Sequence, residues 1–236
     1  QLYAGGAFTN AGGVGVSRIA RWDGSAWSGL ASGVSGTVYA LTVWEGNLYA
    51  GGTFNMSSVT MVSNIAKWNG SSWSPLSGGA NATIYALVPF GSFLLAGGVF
   101  SEIGGISAKR VARWNGSTWS PLGSGMDNNV YALAANGNNL FAAGTFTNAG
   151  GVSANRIAHW DGSTWSALGA GTSGTVYTLA IANSNLYAGG SFTAAGGVGA
   201  KYLARWDGNE WFRVGSGFDK PIYAWAVIGN DVFAGG

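Results

Sequence analysis

The stretch LYAGG, residues 2–6, decides the fold, because it returns along the 236-residue chain at a constant interval. Close copies begin 46 residues apart, at Leu2, Leu48, Leu94, Leu140, Leu186 and Val232. Two series of tryptophans keep the same interval, starting at Trp22 and Trp27, and so does a series of tyrosines starting at Tyr39. A fixed interval without insertions indicates a repeat protein in which each unit is one supersecondary structure.

The apolar pattern within each unit is that of β-strands. In TVYALTV, residues 37–43, alternate side chains are directed to opposite faces, which is the period of a strand. Asp23–Gly24 is a two-residue hairpin signal, because both turn positions favour positive φ. The signal recurs as Asn69–Gly70, Asn115–Gly116, Asp161–Gly162 and Asp207–Gly208. Each unit is therefore predicted to be a blade of four antiparallel strands.

Blades of this kind close into β-propellers, which leave few sheet edges exposed. The sequence predicts an all-β, five-bladed β-propeller with four antiparallel strands per 46-residue blade, forming a single domain over residues 1–236. Small residues let the inner strands approach one another, while the tryptophans fill the wider outer part of each blade.

The chain contains one more copy of the LYAGG strand than five blades require, at residues 231–236. We therefore expect a closing blade shared by both chain ends. Because the C-terminal copy follows a tight hairpin, we expect it to occupy that blade. The N-terminal copy is then displaced or pairs with another molecule by strand addition. The alternative is that the chain is a piece of a longer repeat array.

The order of motifs within a unit resembles the kelch repeat. LYAGG is followed by RIARWDGSAW, residues 18–27, and by VYALTV, residues 38–43. In length and blade number the chain more distantly resembles five-bladed lectins of the tachylectin type. Both resemblances imply a propeller, and neither assigns a function, because one fold serves many functions.

The residues available for catalysis are few. The chain has no cysteine and one histidine, His159, at a repeat position held by Arg21, Lys67, Arg113 and Arg205 in the other units. His159 is thus interpreted as a substituted basic residue. Among the nine acidic residues, Asp127 and Asp219 occupy equivalent positions and form the one pair considered for glycosidase chemistry. We predict that the chain is not an enzyme and has no cofactor and no metal site.

Composition also bears on partners and location. A net charge of +2 argues against nucleic acid binding, and no apolar run reaches the length of a membrane helix, so no membrane insertion is expected. A chain rich in Gly, Ser, Thr, Asn and Trp with 8% charged residues is typical of secreted bacterial repeat proteins. We expect an extracellular or cell-surface location. The near-identity of the units is equally consistent with recent amplification or an engineered consensus.

Two repeated features are candidate ligand sites. The first is a tryptophan that follows a cation: Trp22, Trp68, Trp114, Trp160 and Trp206, with Arg21, Arg113 and Arg205 among the cations. Either these rings pack between blades or their faces bind sugars. The second is the loop TNAGGV, which contains Asn10 and Asn148 and is replaced in the second unit by NMSSVTMVS, residues 55–63. The loop forms either a polar site or a glycine-shaped turn.

The sequence predicts a non-catalytic scaffold or interaction module of a secreted or cell-surface protein. Its expected partners are other protein chains, including copies of itself that associate through the redundant terminal strand. The alternative is a multivalent lectin with one equivalent glycan site per blade, in which weak sites gain avidity by number.

Overall fold

A computed structural model describes residues 1–56, 62–229 and 231–236 of the chain. Most of the irregular loop of the second 46-residue repeat therefore lies outside the described residues. The described residues form strands, turns and loops and no helix, and hence no helix of membrane-spanning length. The prediction of an all-β protein is confirmed. Contacts divide the chain into two compact units, Gln1–Pro121 and Leu122–Gly236, and a single domain over residues 1–236 stays a prediction.

The described residues of the first unit form fifteen strands. They are β1 Leu2–Gly5, β2 Asn10–Ala11, β3 Val14–Gly15, β4 Ile19–Trp22, β5 Trp27–Gly29, β6 Thr37–Trp44, β7 Asn47–Met56, β8 Val62–Trp68, β9 Trp73–Pro75, β10 Ile84–Phe90, β11 Phe93–Gly98, β12 Glu102–Ile103, β13 Ile106–Ser107, β14 Val111–Trp114 and β15 Trp119–Pro121.

The second unit continues the series. Its strands are β16 Val130–Asn136, β17 Asn139–Gly144, β18 Asn148–Ala149, β19 Val152–Ser153, β20 Ile157–Trp160, β21 Trp165–Ala167, β22 Val176–Ala182, β23 Asn185–Gly190, β24 Ala194–Ala195, β25 Val198–Gly199, β26 Leu203–Trp206, β27 Trp211–Arg213, β28 Ala224–Ile228 and β29 Asp231–Gly235.

Apart from the two-stranded loop hairpins β2-β3, β12-β13, β18-β19 and β24-β25, the sheets formed by the described residues are the predicted blades. Four of them are complete and antiparallel, with strand orders β6-β7-β8-β9, β10-β11-β14-β15, β16-β17-β20-β21 and β22-β23-β26-β27. A three-stranded sheet, β1-β4-β5, begins the chain, and a two-stranded sheet, β28-β29, ends it. Repeated four-stranded antiparallel sheets confirm the prediction of a five-bladed β-propeller.

Both terminal copies of the repeated strand are paired. β1 pairs with β4, with Ala4 opposite Ala20, which is the register of Ala50 opposite Ala66 in a complete blade. β29 pairs with β28 across a tight turn. The predicted displacement of the N-terminal copy is therefore not what this structure shows, because β1 pairs with β4 in the register of a complete blade, whereas β29 pairs, among the described strands, only with β28. None of the sheets formed by the described residues combines both chain ends, so the shared closing blade stays a prediction.

The interchange of Asp and Asn at the hairpin turns follows from one hydrogen-bond pattern. Asp23 Oδ1 accepts from the backbone N–H groups of Ser25 and Ala26 at 2.8 and 2.9 Å, and Asn69 Oδ1 makes the same two bonds in the next blade. These backbone N–H groups hold the pKa of Asp23 at about 2, below its ordinary value of 3.8. The turn needs an oxygen acceptor and does not need the charge.

A tryptophan of the fourth strand links neighbouring blades. The indole N–H of Trp73 donates to the carbonyl of Leu30 at 3.1 Å, and that of Trp211 donates to the carbonyl of Leu168 at 2.8 Å. Each acceptor directly follows the fourth strand of the preceding blade. Leu30 and Leu168 are buried, and their carbonyls also accept from the backbone N–H groups of Gly33 and Gly171, so the indole is a second donor to each.

The glycine pair of the long loop provides the surface on which this indole rests. A Cβ on Gly196 would lie 2.7 Å from Trp211 Cδ1, and one on Gly104 would lie 2.5 Å from Trp119 Cδ1. Both glycines have positive φ, 58° and 60°. Any other residue would strain the turn and also push the ring out, so in the blades that carry the glycine pair the loop is shaped to hold the tryptophan.

Replacement of Trp211 by Phe tests the hydrogen bond between blades. Trp119 is the matched control, because it is equally buried but its indole nitrogen has no hydrogen-bond partner among the described residues. We expect W211F to lower the free energy of unfolding by about 1 kcal/mol more than W119F, since W211F removes a hydrogen bond to the buried carbonyl of Leu168 and W119F removes none. Urea denaturation of the two variants measures the difference, and equal losses would show that the bond contributes nothing.

Candidate ligand-binding cleft

The five tryptophans predicted as sugar-binding faces differ in exposure. Each packs against the second tryptophan of its hairpin, with ring centres 5.3–5.5 Å apart. Trp68, Trp114 and Trp160 are buried, with exposed fractions of 8%, 7% and 5%, whereas Trp22 and Trp206 are only half-buried. Three of the five rings thus have little surface left for a ligand.

Two of the arginines beside these tryptophans contact side chains of their own blade. The guanidinium of Arg113 lies 4.8 Å from the centre of the Phe93 ring, and its Nε donates to Ser120 Oγ at 3.1 Å. Arg205 lies 4.6 Å from the centre of the Phe212 ring. Arg21 is half-buried and close enough to Asp23 to contribute to the low pKa of that carboxyl.

The two loop asparagines act within their own turns. Asn10 Oδ1 accepts from the N–H of Gly13, and Asn148 Oδ1 accepts from that of Gly151, both at 3.0 Å. Each asparagine opens the small hairpin in its loop, β2-β3 or β18-β19. The structure therefore shows a turn-forming role for both residues, with their amide oxygens already engaged.

The carboxylate considered for glycosidase chemistry also has a structural role. Asp127 Oδ1 accepts from the backbone N–H groups of Thr147 and Asn148 at 2.9 and 3.0 Å. An amide and a hydroxyl do the same at the equivalent positions Asn81 and Ser173, so the position requires an acceptor oxygen rather than an acid. Within the described part of the chain, no three His, Cys, Asp or Glu side chains cluster as a metal site would require.

One cleft in the second unit brings a predicted tryptophan together with polar groups. It lies between the sheets β16-β17-β20-β21 and β22-β23-β26-β27, with a volume of about 380 Å³. Its lining includes Asn136, Asn139, Phe141, His159, Asn185 and Trp206. The volume lies at the lower end of the range for small-ligand sites.

The cleft exists because two side chains depart from the repeat. In the first unit, Trp44 is 5% exposed and packs in one cluster with Tyr49 and Trp114. Two 46-residue repeats later along the chain, the residues at the positions of Trp44 and Trp114 are Asn136 and Trp206. The short asparagine does not fill the space of an indole, so Trp206 is only partly buried where Trp114 is covered.

The second residue that departs from the repeat is His159, which replaces the arginine or lysine found in the other 46-residue repeats. Its ring lies 5.0 Å from that of Phe141, and Nε2 lies 2.8 Å from Asn139 Oδ1. Because an amide oxygen only accepts, Nε2 carries the proton and Nδ1 is an acceptor. Burial lowers the pKa of His159 below 6.5, against a weaker opposing effect of Asp161, so the imidazole is neutral at pH 7.

A second aromatic feature lies on the innermost strands. Tyr39, Tyr85, Tyr131 and Tyr177 each fall at a break in register between the first and second strands, which marks a β-bulge. A bulge redirects a side chain. Ring centres lie 5.2 Å apart for Tyr39 and Tyr85, 5.9 Å for Tyr131 and Tyr177, and 5.1 Å for Tyr177 and Tyr223. The tyrosines thus form an aromatic row within each compact unit.

Sequence reasoning missed the polar residues of the cleft, although a signal for them was present. In the other repeats, the position of Asn136 is occupied by Trp44, Phe90, Ala182 and Ile228, so one polar residue stands in an otherwise apolar series. The sequence also places His159 in a basic series. Only the structure shows that these two exceptions line the same space.

Comparison with known proteins identifies the family. The sequence model of the Rax2 C-terminal beta propeller domain matches residues 67–223, about two thirds of the chain. The chain belongs to the Rax2 C-terminal β-propeller family. The blades described above are those of a Rax2-type propeller, whereas the kelch and tachylectin resemblances are not confirmed. No curated protein is similar enough to the chain to count as a relative.

Solved structures show the same fold. The computationally designed Ika8 protein superposes with a TM-score of 0.56 at 17% identity, over 92% of this chain and 74% of that one. The designed Ika4 protein gives a TM-score of 0.49 at 15% identity, over 72% of this chain and 90% of that one. At this identity the likeness to Ika8 concerns the fold alone.

The environment of the cleft predicts the titration of its histidine. Because His159 is the only histidine, its imidazole NMR signals report one group. We expect a pKa below 6.5 in the folded protein, and a lower pKa still in D161N, since that variant removes the carboxylate that favours protonation. Asn occupies the equivalent turns at Asn69 and Asn115, so D161N preserves the hairpin. A folded-state pKa at or above its value in urea would contradict this description of the cleft.

Proposed function

We propose that this chain is a non-catalytic β-propeller interaction module of a secreted or cell-surface protein, and that copies associate through the terminal strands. The fold itself supplies the general part of the proposal, since propellers present rigid surfaces on short strands and loops. The terminal sheets support the association between copies. The amino-acid composition alone supports the secreted or cell-surface location.

The two-stranded sheet β28-β29 exposes apolar side chains that complete blades bury. Phe233 is 53% exposed, whereas Tyr49 and Leu95 at the same repeat position are 2% and 0% exposed. Ile228 is 68% exposed, and its equivalent Trp44 is 5% exposed. An isolated two-stranded sheet is marginally stable in water, so these residues favour a further strand beside β29.

The strand that fits beside β29 is a third strand of the type of β4. In complete blades the equivalent of β29 pairs with such a strand, as Tyr187 does opposite Arg205. The sheet β1-β4-β5 of a second copy contains this strand, held by its own β1, which has the same sequence motif as β29. Exchange of β1 for β29 of another copy would complete a four-stranded blade by strand addition.

The proposed absence of catalysis rests on the described side chains. The acids with assigned hydrogen bonds act as turn or loop acceptors, and their positions in other blades carry Asn or Ser. His159 is neutral and bonded to an amide rather than to a carboxylate or a nucleophile. No pair of groups with opposed acid and base roles is assembled by these contacts.

A cysteine pair tests strand exchange, because the natural chain has no cysteine. In the exchanged blade Phe233 would lie directly opposite Arg21, as Tyr187 lies opposite Arg205. We expect R21C/F233C to form disulfide-linked dimers and larger species on oxidation, to an extent that rises with protein concentration. Non-reducing electrophoresis and size-exclusion chromatography measure this result.

The control is R21C/A234C, in which a shift of one residue turns the second thiol to the opposite face of the strand. A disulfide formed within single chains by R21C/F233C would show closure of the blade by one molecule and would overturn association. Equal cross-linking of both pairs, or of neither, would also overturn it.

Glycan binding is the second candidate, and the cleft at Trp206 favours it. The cleft combines a half-buried aromatic ring with amide and hydroxyl groups, which is the composition of a sugar site. The burial of Trp68, Trp114 and Trp160 favours one such site rather than five equivalent ones.

A further inference from the structure

We propose that the cleft between the third and fourth complete blades is a single binding site for a neutral six-membered sugar ring, which occupies the space that an indole fills elsewhere in the protein. The proposal rests on glycan binding, the second candidate function, and is independent of association through the terminal strands.

The space lies at the repeat position where an indole packs in another blade. In the first unit, Trp44 lies in one buried cluster with Trp114, and the ring centres of Trp44 and Tyr49 are 5.7 Å apart. In the second unit, Asn136 replaces this indole and leaves about 380 Å³ beside Trp206. A ligand that fills the space must therefore present one apolar face to an aromatic ring, and the C–H groups of a pyranose form such a face.

The polar groups of the cleft match hydroxyl groups. His159 Nε2 is bonded to Asn139 Oδ1, which leaves the imidazole with an acceptor nitrogen and the amide with Nδ2, a donor that has no partner among the described residues. A donor and an acceptor on neighbouring side chains suit a hydroxyl group, which both donates and accepts.

The second wall of the cleft is held in one orientation. Asn185 Oδ1 accepts from Arg205 at 2.9 Å, while its Nδ2 donates to the carbonyl of Asn183 at 2.7 Å. Because Asn185 is fixed from both sides, this wall does not have to reorganise when a ligand enters, and a rigid site binds at a lower entropic cost.

The charges favour a neutral ligand. Among the described residues no acidic side chain lines the cleft, and the imidazole is uncharged at pH 7. Arg205 is engaged by Asn185 and by the ring of Phe212, so its charge is not directed to an anion by these contacts.

The test is binding of methyl glycosides of glucose, galactose, mannose and N-acetylglucosamine to the whole chain, followed through the ¹⁵N-labelled indole signal of Trp206. We expect saturable binding of at least one of them, with a dissociation constant of the order of 1 mM, which is typical for a ligand of this size. Sorbitol, which has hydroxyl groups but no ring, should not bind.

Variants assign the binding to the cleft. N136W introduces the residue of the first complete blade and should weaken binding at least tenfold, because the indole occupies the ligand's place. H159R introduces the residue found in three other units and should have the same effect; it serves as the second variant should N136W fold poorly. F90W makes the matched change at the same repeat position of another blade and should bind as the natural chain does.

Binding of none of the four glycosides by the folded natural chain would overturn the proposal. Binding that survives in both N136W and H159R would overturn it too, because the site would lie elsewhere. Loss of binding in F90W equal to that in N136W would show a general disturbance rather than occupation of the cleft. None of these results alters the cross-linking expected of R21C/F233C, so the two proposals fail separately.

Discussion

The structure depends on a tryptophan of the fourth strand that is hydrogen-bonded to a buried leucine carbonyl in three of the described blades. Its indole N–H donates to a leucine carbonyl 43 residues earlier, as seen for Trp73, Trp165 and Trp211. The rings of Trp165 and Trp211 rest on Gly150 and Gly196, which have positive φ and leave no room for a side chain. For these two tryptophans, burial of the ring, the bond to the carbonyl and the shape of the loop are one arrangement, which accounts for the shared period of tryptophans and glycine pairs.

Much of this arrangement could be predicted from the sequence. The 46-residue interval, the period of two and the Asp–Gly and Asn–Gly turns predict four-stranded blades, and the sheets confirm them. The strand pairing at the chain ends could not be predicted, because two copies of the same motif compete and the register of Ala4 opposite Ala20 is available to either. The β-bulges at Tyr39 and its equivalents were also missed, since an extra residue in a strand leaves the alternating pattern nearly unchanged.

The candidate site was predicted only in part. Trp206 is where a sugar-binding ring would be useful, but its sequence context is that of Trp114, which is buried. The difference arises from Asn136 and His159, which lie on different strands and line the same cleft. In a protein built from nearly identical blades, function is to be sought where a blade departs from the others, because the shared residues are already committed to packing.

The most direct test of this account is the hydrogen exchange of the indole N–H groups, observed by ¹⁵N NMR in the natural chain. Where an indole bridges two blades, its proton exchanges only when the blades separate, so the signals of Trp73, Trp165 and Trp211 should exchange at least about a hundredfold more slowly than that of Trp27. Trp27 is half-buried and its indole has no hydrogen-bond partner among the described residues. Exchange of all four indoles at one rate would contradict the account, because the bond between blades would then give no protection.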